Sequence, residues 1–163
     1  MLRGRDLLNL PSLTAAQLLC WRRRRGPPSG SLRGRGGLAD RRALGQIAKS
    51  IIFKRHPDEV AVLVITSGDR RVDEAKVQAL VCTAGGRLGR ADATFVKAQT
   101  GYSIGGVAPV AHALWPVTLV DQELFRFDEI WAAAGHPHAV FQLAPQDLLH
   151  LTGAPRADVT QAV

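Results

Sequence analysis

The sequence has few cysteines and no long apolar run. These absences argue against a disulfide-rich protein and against a membrane-spanning protein. Two cysteines in 163 residues are too few for a disulfide scaffold, which fits a reduced compartment such as the cytoplasm. No stretch approaches the roughly 18 consecutive apolar residues of a membrane-spanning helix, so we expect no membrane partner. Hydrophobic residues make up 46% and charged residues 21% of the chain. This balance is typical of a globular domain with its own core.

Acidic residues and lysine are nearly missing from the first quarter of the chain. Residues 1–45 contain ten arginines, no lysine and only two acidic residues, Asp6 and Asp40. Residues 46–163 contain eleven basic and twelve acidic residues. The net charge of +7 therefore resides in an N-terminal segment, and the sequence predicts a basic arm rather than a basic domain.

The basic arm, residues 1–43, has a composition that cannot pack a core. Fifteen of the 22 residues from 21 to 42 are Arg, Gly or Pro, which favours a flexible, irregular segment. Within the arm, residues 13–21, just before the Arg/Gly/Pro-rich stretch, have the pattern of a short helix. Two other interpretations stay open: a weak organelle transit peptide, and GC-rich DNA translated outside its native frame.

From residue 44 onward, strand-length apolar runs alternate with capped helical segments. We expect strands within residues 46–54, 60–66, 116–120, 130–134 and 139–143. We expect helices after Asp73, with Val72, Val77 and Leu80 on one face, after Asp92, and from Pro145 to Gly153. Residues 85–89 read as a glycine-rich connection. The irregular alternation predicts a mixed α/β fold: one compact domain, residues 44–163, with a mixed, partly barrel-like β-sheet and flanking helices.

Lys49 lies within an unusually apolar run, residues 46–53 (QIAKSIIF). A lysine in this setting either carries its ammonium to the rim of the core or is held in a cleft for an anion. The sequence leaves both interpretations open, and the same holds for the neighbouring Ser50.

A glycine loop, residues 100–109 (TGYSIGGVAP), is the second candidate feature. Gly105 and Gly106 permit a positive φ that turns backbone N–H groups toward a ligand, and Pro109 restrains the end of the loop. Such N–H groups can hold a carboxyl oxygen, a phosphate or the oxyanion of a tetrahedral intermediate. A plain hairpin turn is the alternative. No Gly-Lys-Ser/Thr follows, so the loop is not a Walker loop.

The third feature is residues 131–138 (WAAAGHPH), where small residues end a predicted strand. Small side chains let a substrate or another backbone approach closely, and Gly135 permits a sharp exit. His136 and His138 are accompanied by no CxxC or HExxH pattern, so we predict no metal site. The spacing shows no Ser/His/Asp or Cys/His arrangement either.

These segments together resemble the YbaK/prolyl-tRNA-synthetase-associated editing domains. The resemblance covers roughly residues 44–158 and includes QIAKSIIF, TSGDRRVDEAK, TGYSIGGVAPVAH, VTLVD, IWAAAG and LAPQDLLHLTGA. It implies a compact mixed α/β domain that hydrolyses misacylated aminoacyl-tRNA, typically tRNA(Pro) carrying cysteine or alanine. No metal or cofactor is implied. The implied partners are the acceptor end of aminoacyl-tRNA and, further, prolyl-tRNA synthetase.

The resemblance also assigns roles to single residues. It implies that Lys49 engages the backbone of the tRNA acceptor end, while Gly105 and Gly106 position the aminoacyl carbonyl; these three form the predicted catalytic set. The residues that it implies bind substrate are Ser50, Val107, Pro109, His112, Ala134, Gly135 and His136.

Three classes of function remain after the sequence is considered alone. The first is a free-standing trans-editing deacylase that acts in the cytoplasm. The second is a non-catalytic tRNA- or synthetase-binding module, because the Arg/Gly/Pro-rich segment replaces the patterned region that usually precedes the lysine motif. The third is a small-molecule or nucleotide hydrolase. If the basic arm binds tRNA phosphates, binding should weaken steeply with salt.

Overall fold

The computed structural model describes residues 44–83 and 85–162. The basic arm and its predicted helix lie outside these described residues. The elements, in chain order, are β1 (Ile47–His56), β2 (Val60–Ser67), α1 (Glu74–Val81), β3 (Arg87–Arg90), α2 (Ala93–Thr100), β4 (Val117–Asp121), a 3-10 helix (Gln122–Arg126), β5 (Ile130–His136), β6 (Ala139–Leu143), α3 (Pro145–Thr152) and β7 (Arg156–Ala157). None of these helices is long and apolar enough to cross a membrane.

The helix ends lie where the capping residues predict them. The Asp73 carboxylate accepts hydrogen bonds from the first-turn amides of α1, and Asp92 accepts one from the Phe95 amide at 2.8 Å. Gly101 and Gly153 end α2 and α3 in the left-handed conformation, with φ of 78° and 63°. The three predicted helices are thus confirmed from local chemistry.

The strands form one mixed sheet in the order β6-β5-β1-β2-β4-β7, and β3 pairs with β1 as well. β1 pairs with β2 antiparallel, whereas β1 with β5 and β2 with β4 are parallel pairs. The mixed α/β fold is therefore confirmed. The sheet does not close, which corrects the expected barrel-like character. A barrel needs every strand to have two neighbours, but β6 and the two-residue β7 are open edges.

The core lies on both faces of β2, which is buried from Ala61 to Ser67. The first core contains Leu63 and Ile65 together with Ala48 and Ile52 of β1. The second core lies on the other face and contains Val62, Val64, Phe53 of β1 and Val77 of α1. Strand alternation assigns each residue of β1 and β2 to one of these faces.

Leu80 was expected on the buried face of α1, but its side chain is 56% exposed. Val77 and the partly buried Val81 form the inward stripe of this short helix instead. These two residues are four apart and share one helix face. Leu80, one residue before Val81, falls on the solvent side.

Candidate functional site

Lys49 lies on the face of β1 that carries the second core, directly opposite Thr66 of β2. Its side chain is partly buried, and its Nζ donates a hydrogen bond to the Arg70 carbonyl oxygen at 2.8 Å. The ammonium is therefore anchored at one point of the turn that follows β2. Two of its three N–H bonds remain available for an anion.

A buried carboxylate continues the row that Lys49 and Thr66 begin. The Thr66 hydroxyl donates to Asp121 Oδ2 at 2.7 Å, and Asp121 Oδ1 accepts from the Glu123 amide at 3.1 Å. Asp121 is fully buried, and within the described residues no lysine or arginine forms an ion pair with it. The row Lys49–Thr66–Asp121 thus places a buried carboxyl group two strands from the ammonium.

The charge of Lys49 reflects opposing influences. Burial lowers the pKa of Lys49 below its ordinary 10.5, the Asp69 and Asp121 carboxylates raise it, and Arg71 lowers it again. The net effect of these influences is a lowered pKa of Lys49. Asp69 in turn accepts hydrogen bonds from Ser67 and Arg126. The two carboxylates therefore oppose the effect of burial on the ammonium without cancelling it.

Replacing Asp121 by asparagine should lower the pKa of Lys49 further, because one of the two negative charges is lost. The measurement is a ¹³C NMR titration of the lysine ε-carbons in both proteins. Asp158→Asn is the matched control, since Asp158 pairs with Lys76 at the surface and should leave the Lys49 titration unchanged. An unchanged or raised Lys49 pKa in Asp121→Asn would contradict the assigned charge coupling.

The glycine loop presents free backbone amides. Gly105 has a φ of 88°, which favours glycine, and the Gly106 amide donates to the Ser103 carbonyl oxygen at 3.0 Å. Among the described residues, no acceptor occurs for the amides of Gly105 and Val107. Val107 and Pro109 are buried, and Val107 belongs to the first core.

The glycine loop packs tightly against the end of β5. A Cβ on Gly106 would lie 3.0 Å from the His136 carbonyl carbon and 3.1 Å from its Cα. Gly135 has a φ of 87°, and a Cβ there would lie 3.0 Å from the Tyr102 ring. The structure thus brings together Gly106, Gly135 and His136 from two distant segments.

Tyr102 is a residue of this region that the sequence analysis did not single out. Its hydroxyl donates to the carbonyl oxygens of Val110 and Ala111, at 3.0 and 3.1 Å, and its ring packs edge-on against His112. His112 Nε2 lies 2.8 Å from the Ala108 carbonyl oxygen. Burial lowers the pKa of His112 below its ordinary value, and the bond to Ala108 braces the loop. The presence of a single tyrosine in the chain was the only available signal for Tyr102.

The alanine run at the end of β5 is divided between the two faces of the sheet. Ala132 is paired with Ala48 and is buried in the first core. Alternation then places Ala133, which is partly buried, on the face of Lys49, and the next residue, Ala134, is exposed. Ala133 therefore shares the face of Lys49, and Ala134, the residue named in the sequence analysis, is exposed.

Ser50 lies on the opposite face of β1 from Lys49, as strand neighbours must. Its hydroxyl oxygen is buried and has no hydrogen-bond partner within residues 44–83 and 85–162. A buried polar atom without a partner is unfavourable by about 1–3 kcal/mol. A ligand that supplied a partner to this hydroxyl would recover that free energy.

One edge of β1 faces β5 and β3. Over residues 49–52, neither of these two strands pairs with it. β5 pairs with β1 only at Ile47 and Ala48, and β3 pairs with it only from Phe53 to His56. We call residues 49–52 the edge window. Along the facing part of β5, the register with β6 shifts after Ala133, and Gly135 has a positive φ.

The histidines of this region do not form a metal-binding group. The His136 Nδ1 accepts a hydrogen bond from the His138 amide at 3.2 Å. Across the described part of the chain, no three His, Cys, Asp or Glu side chains converge closely enough to hold an ion.

Several known proteins are similar to this chain in sequence or in fold. The model of the aminoacyl-tRNA editing domain family matches residues 39–151. The uncharacterized protein YwhH of Bacillus subtilis (strain 168) is 33% identical over 106 residues, which are 65% of this chain and 65% of that protein; the matched region thus spans less than two thirds of the relative.

Two solved structures are also similar. One, proposed to be a trans-editing enzyme for prolyl tRNA synthetase, is 40% identical with a TM-score of 0.67, covering 73% of each chain. The other, the hypothetical protein APE2540, is 30% identical with a TM-score of 0.65, covering 72% of this chain and 76% of that one. The chain belongs to the aminoacyl-tRNA editing domain family.

Proposed function

We propose that the protein is a trans-editing deacylase that hydrolyses misacylated tRNA, with tRNA(Pro) carrying a small non-cognate residue such as cysteine or alanine as substrate. The observation that most supports this is the contact of the glycine loop with the end of β5, next to the edge window. That contact holds the amides of Gly105 and Val107 in place, and preorganised N–H donors are what an ester carbonyl needs when it becomes an oxyanion.

The chemistry requires few side chains, because an aminoacyl ester is already activated. A water oxygen attacks the carbonyl carbon, the carbonyl oxygen becomes the oxyanion, and the bond to the ribose oxygen then breaks. The products are the free amino acid and the tRNA terminal hydroxyl. We assign the oxyanion to the loop amides and the phosphate backbone of the acceptor end to Lys49. With cysteine, the substrate's own thiolate can attack the carbonyl carbon in place of water: the bond to the ribose oxygen breaks, the ribose oxygen takes up a proton, and water then opens the resulting thiolactone to free cysteine.

The remaining predicted residues support these two roles. Val107, Pro109 and His112 hold the loop amides in position, and Ser50 offers its unpartnered hydroxyl to the substrate. Gly135 and His136 form the surface on which the loop rests, and Ala133, rather than the exposed Ala134, limits the size of the bound amino acid. Discrimination by volume between small side chains amounts to about 1–3 kcal/mol.

We further propose that residues 44–163 form the deacylase domain and that residues 1–43 add a basic arm for tRNA phosphates. The partners are then the acceptor end of aminoacyl-tRNA and prolyl-tRNA synthetase. A cytoplasmic location follows from the proposed substrate.

The test is hydrolysis of tRNA(Pro) charged separately with proline, alanine, cysteine and serine. We expect one small non-cognate ester to be hydrolysed at least about tenfold faster than prolyl-tRNA, a difference of about 1.4 kcal/mol in activation free energy. Reactions without enzyme give the spontaneous rate. If the protein binds tRNA but accelerates none of the four reactions, the non-catalytic binding module is the correct function; competition by free nucleotide would instead favour a nucleotide hydrolase.

A further inference from the structure

The edge window of β1 exposes backbone groups in the middle of a central strand. The Trp131 amide donates to the Gln46 carbonyl oxygen at 2.8 Å, which shows that the even-numbered residues of β1 direct their N–H and C=O groups toward β5. Alternation directs the N–H and C=O of Ser50 and Ile52 to the same edge. Within the described residues no strand pairs with this part of the edge.

The unpaired N–H and C=O groups of a strand bind best to a ligand whose own donor and acceptor have the spacing of a peptide backbone. In an antiparallel sheet, one residue exchanges both of its hydrogen bonds with the residue opposite. The aminoacyl group of a charged tRNA has the same N–Cα–C=O skeleton as a residue in a strand. Its amino group can donate to a strand carbonyl oxygen while its ester carbonyl accepts from the N–H of the same strand residue.

We propose that the edge window binds the amino-acid backbone of the substrate. Ser50 pairs with the aminoacyl group through two backbone hydrogen bonds, as one residue of a strand pairs with another. The Ser50 carbonyl oxygen accepts from the α-ammonium, and the Ser50 N–H donates to one lone pair of the ester carbonyl oxygen, which leaves the other lone pair for the loop amides. This inference rests on the proposed function, because it assumes an aminoacyl ester as substrate. It adds an α-amino-acid selectivity that is independent of the side chain.

The dimensions of the edge window fit this occupant better than a longer peptide. It spans only residues 49–52, and β5 and β3 close it at either end. It also adjoins the segment of β5 on which the glycine loop rests, so a carbonyl bound at Ser50 lies on the side of β1 where the candidate site is. The buried Ser50 hydroxyl, which has no partner among the described residues, gives a second and independent sign that a polar ligand belongs here.

Amide hydrogen exchange with a stable substrate analogue tests the proposal directly. The probe is 3′-alanylamino-3′-deoxyadenosine, in which an amide replaces the scissile ester. At saturation we expect exchange of the Ser50 amide to slow at least about tenfold. The Ile51 amide, which faces β2, is the internal control and should not change. Slow exchange of the Ser50 amide without the probe, or binding without a change at Ser50, would overturn the proposal.

The N-acetylated form of the same probe separates the α-amino group from the rest of the ligand. Because a charge-assisted hydrogen bond is lost on acetylation, we expect the Kd to rise at least about tenfold. Equal affinity for the two probes, or no binding of the free-amino probe, overturns the backbone pairing. The hydrolysis of charged tRNA(Pro) decides the proposed function separately, so the two ideas can fail independently.

Discussion

Lys49→Met should reduce kcat/KM for deacylation by about 100-fold or more while the protein remains folded. Methionine preserves the length and apolar stem of the lysine but carries no charge and donates no hydrogen bond. Among the described residues, the one hydrogen bond that is lost runs from Lys49 Nζ to the Arg70 carbonyl oxygen, and its net contribution to stability is about 1 kcal/mol. The substrate loses a cation that we assign to its phosphate backbone. Single-turnover hydrolysis and thermal unfolding measure the two effects.

Lys54→Met is the matched control for Lys49→Met. Lys54 lies on the same strand, but its ammonium pairs with Glu59 and stacks over the Phe95 ring. We expect Lys54→Met to retain the activity of the unmodified protein. If Lys49→Met retained full turnover as well, Lys49 would have no part in the reaction and its buried position would be merely structural.

Gly106→Ala should also lower kcat/KM by about 100-fold, for a steric reason. The added methyl would lie about 3 Å from backbone atoms of His136 and from Pro137, and backbone atoms cannot rotate away as a side chain can. The glycine loop must therefore move off the end of β5. A displacement of about 1 Å of catalytic groups can cost on the order of 100-fold in rate.

The effect of Gly106→Ala can be told apart from a general loss of stability. Gly85→Ala adds a methyl at a positive φ where no atom lies within 4 Å, so it costs backbone strain of about 1–2 kcal/mol without touching the candidate site. We expect it to lower the thermal midpoint but to keep kcat/KM. Full activity of Gly106→Ala would show that the loop contact with β5 is not needed.

The sequence predicts those parts of the fold that depend on neighbouring residues. Asp73 and Asp92 bond to amides two or three positions away, so their helices could be placed from sequence alone. β3 could not, because its four residues include Gly89 and are stabilised by pairing with β1 more than thirty positions earlier. The open sheet was missed for the same reason, since strand order depends on contacts between distant segments.

In the candidate site, too, the sequence predicts what depends on residue type, but not what depends on the pairing of distant strands. The residue types at Lys49, Gly105 and Gly106 indicate anion and carbonyl binding, and their roles remain predictions. The sequence could not show that Ala133 shares the face of Lys49, because this depends on how Ala132 pairs with Ala48. Asp121 ends an apolar strand without any local motif, and its relation to Lys49 exists only through the pairing of three strands.

The limited length of the edge window has a consequence for the behaviour of the protein at high concentration. Unpaired strand edges are templates for aggregation, since a second molecule can add a strand to them. A typical strand has about five to six residues. The edge window, residues 49–52, is shorter than this, because β5 and β3 pair with β1 on either side of it. The protein therefore keeps an open backbone segment in its central strand that another molecule of the same chain cannot extend.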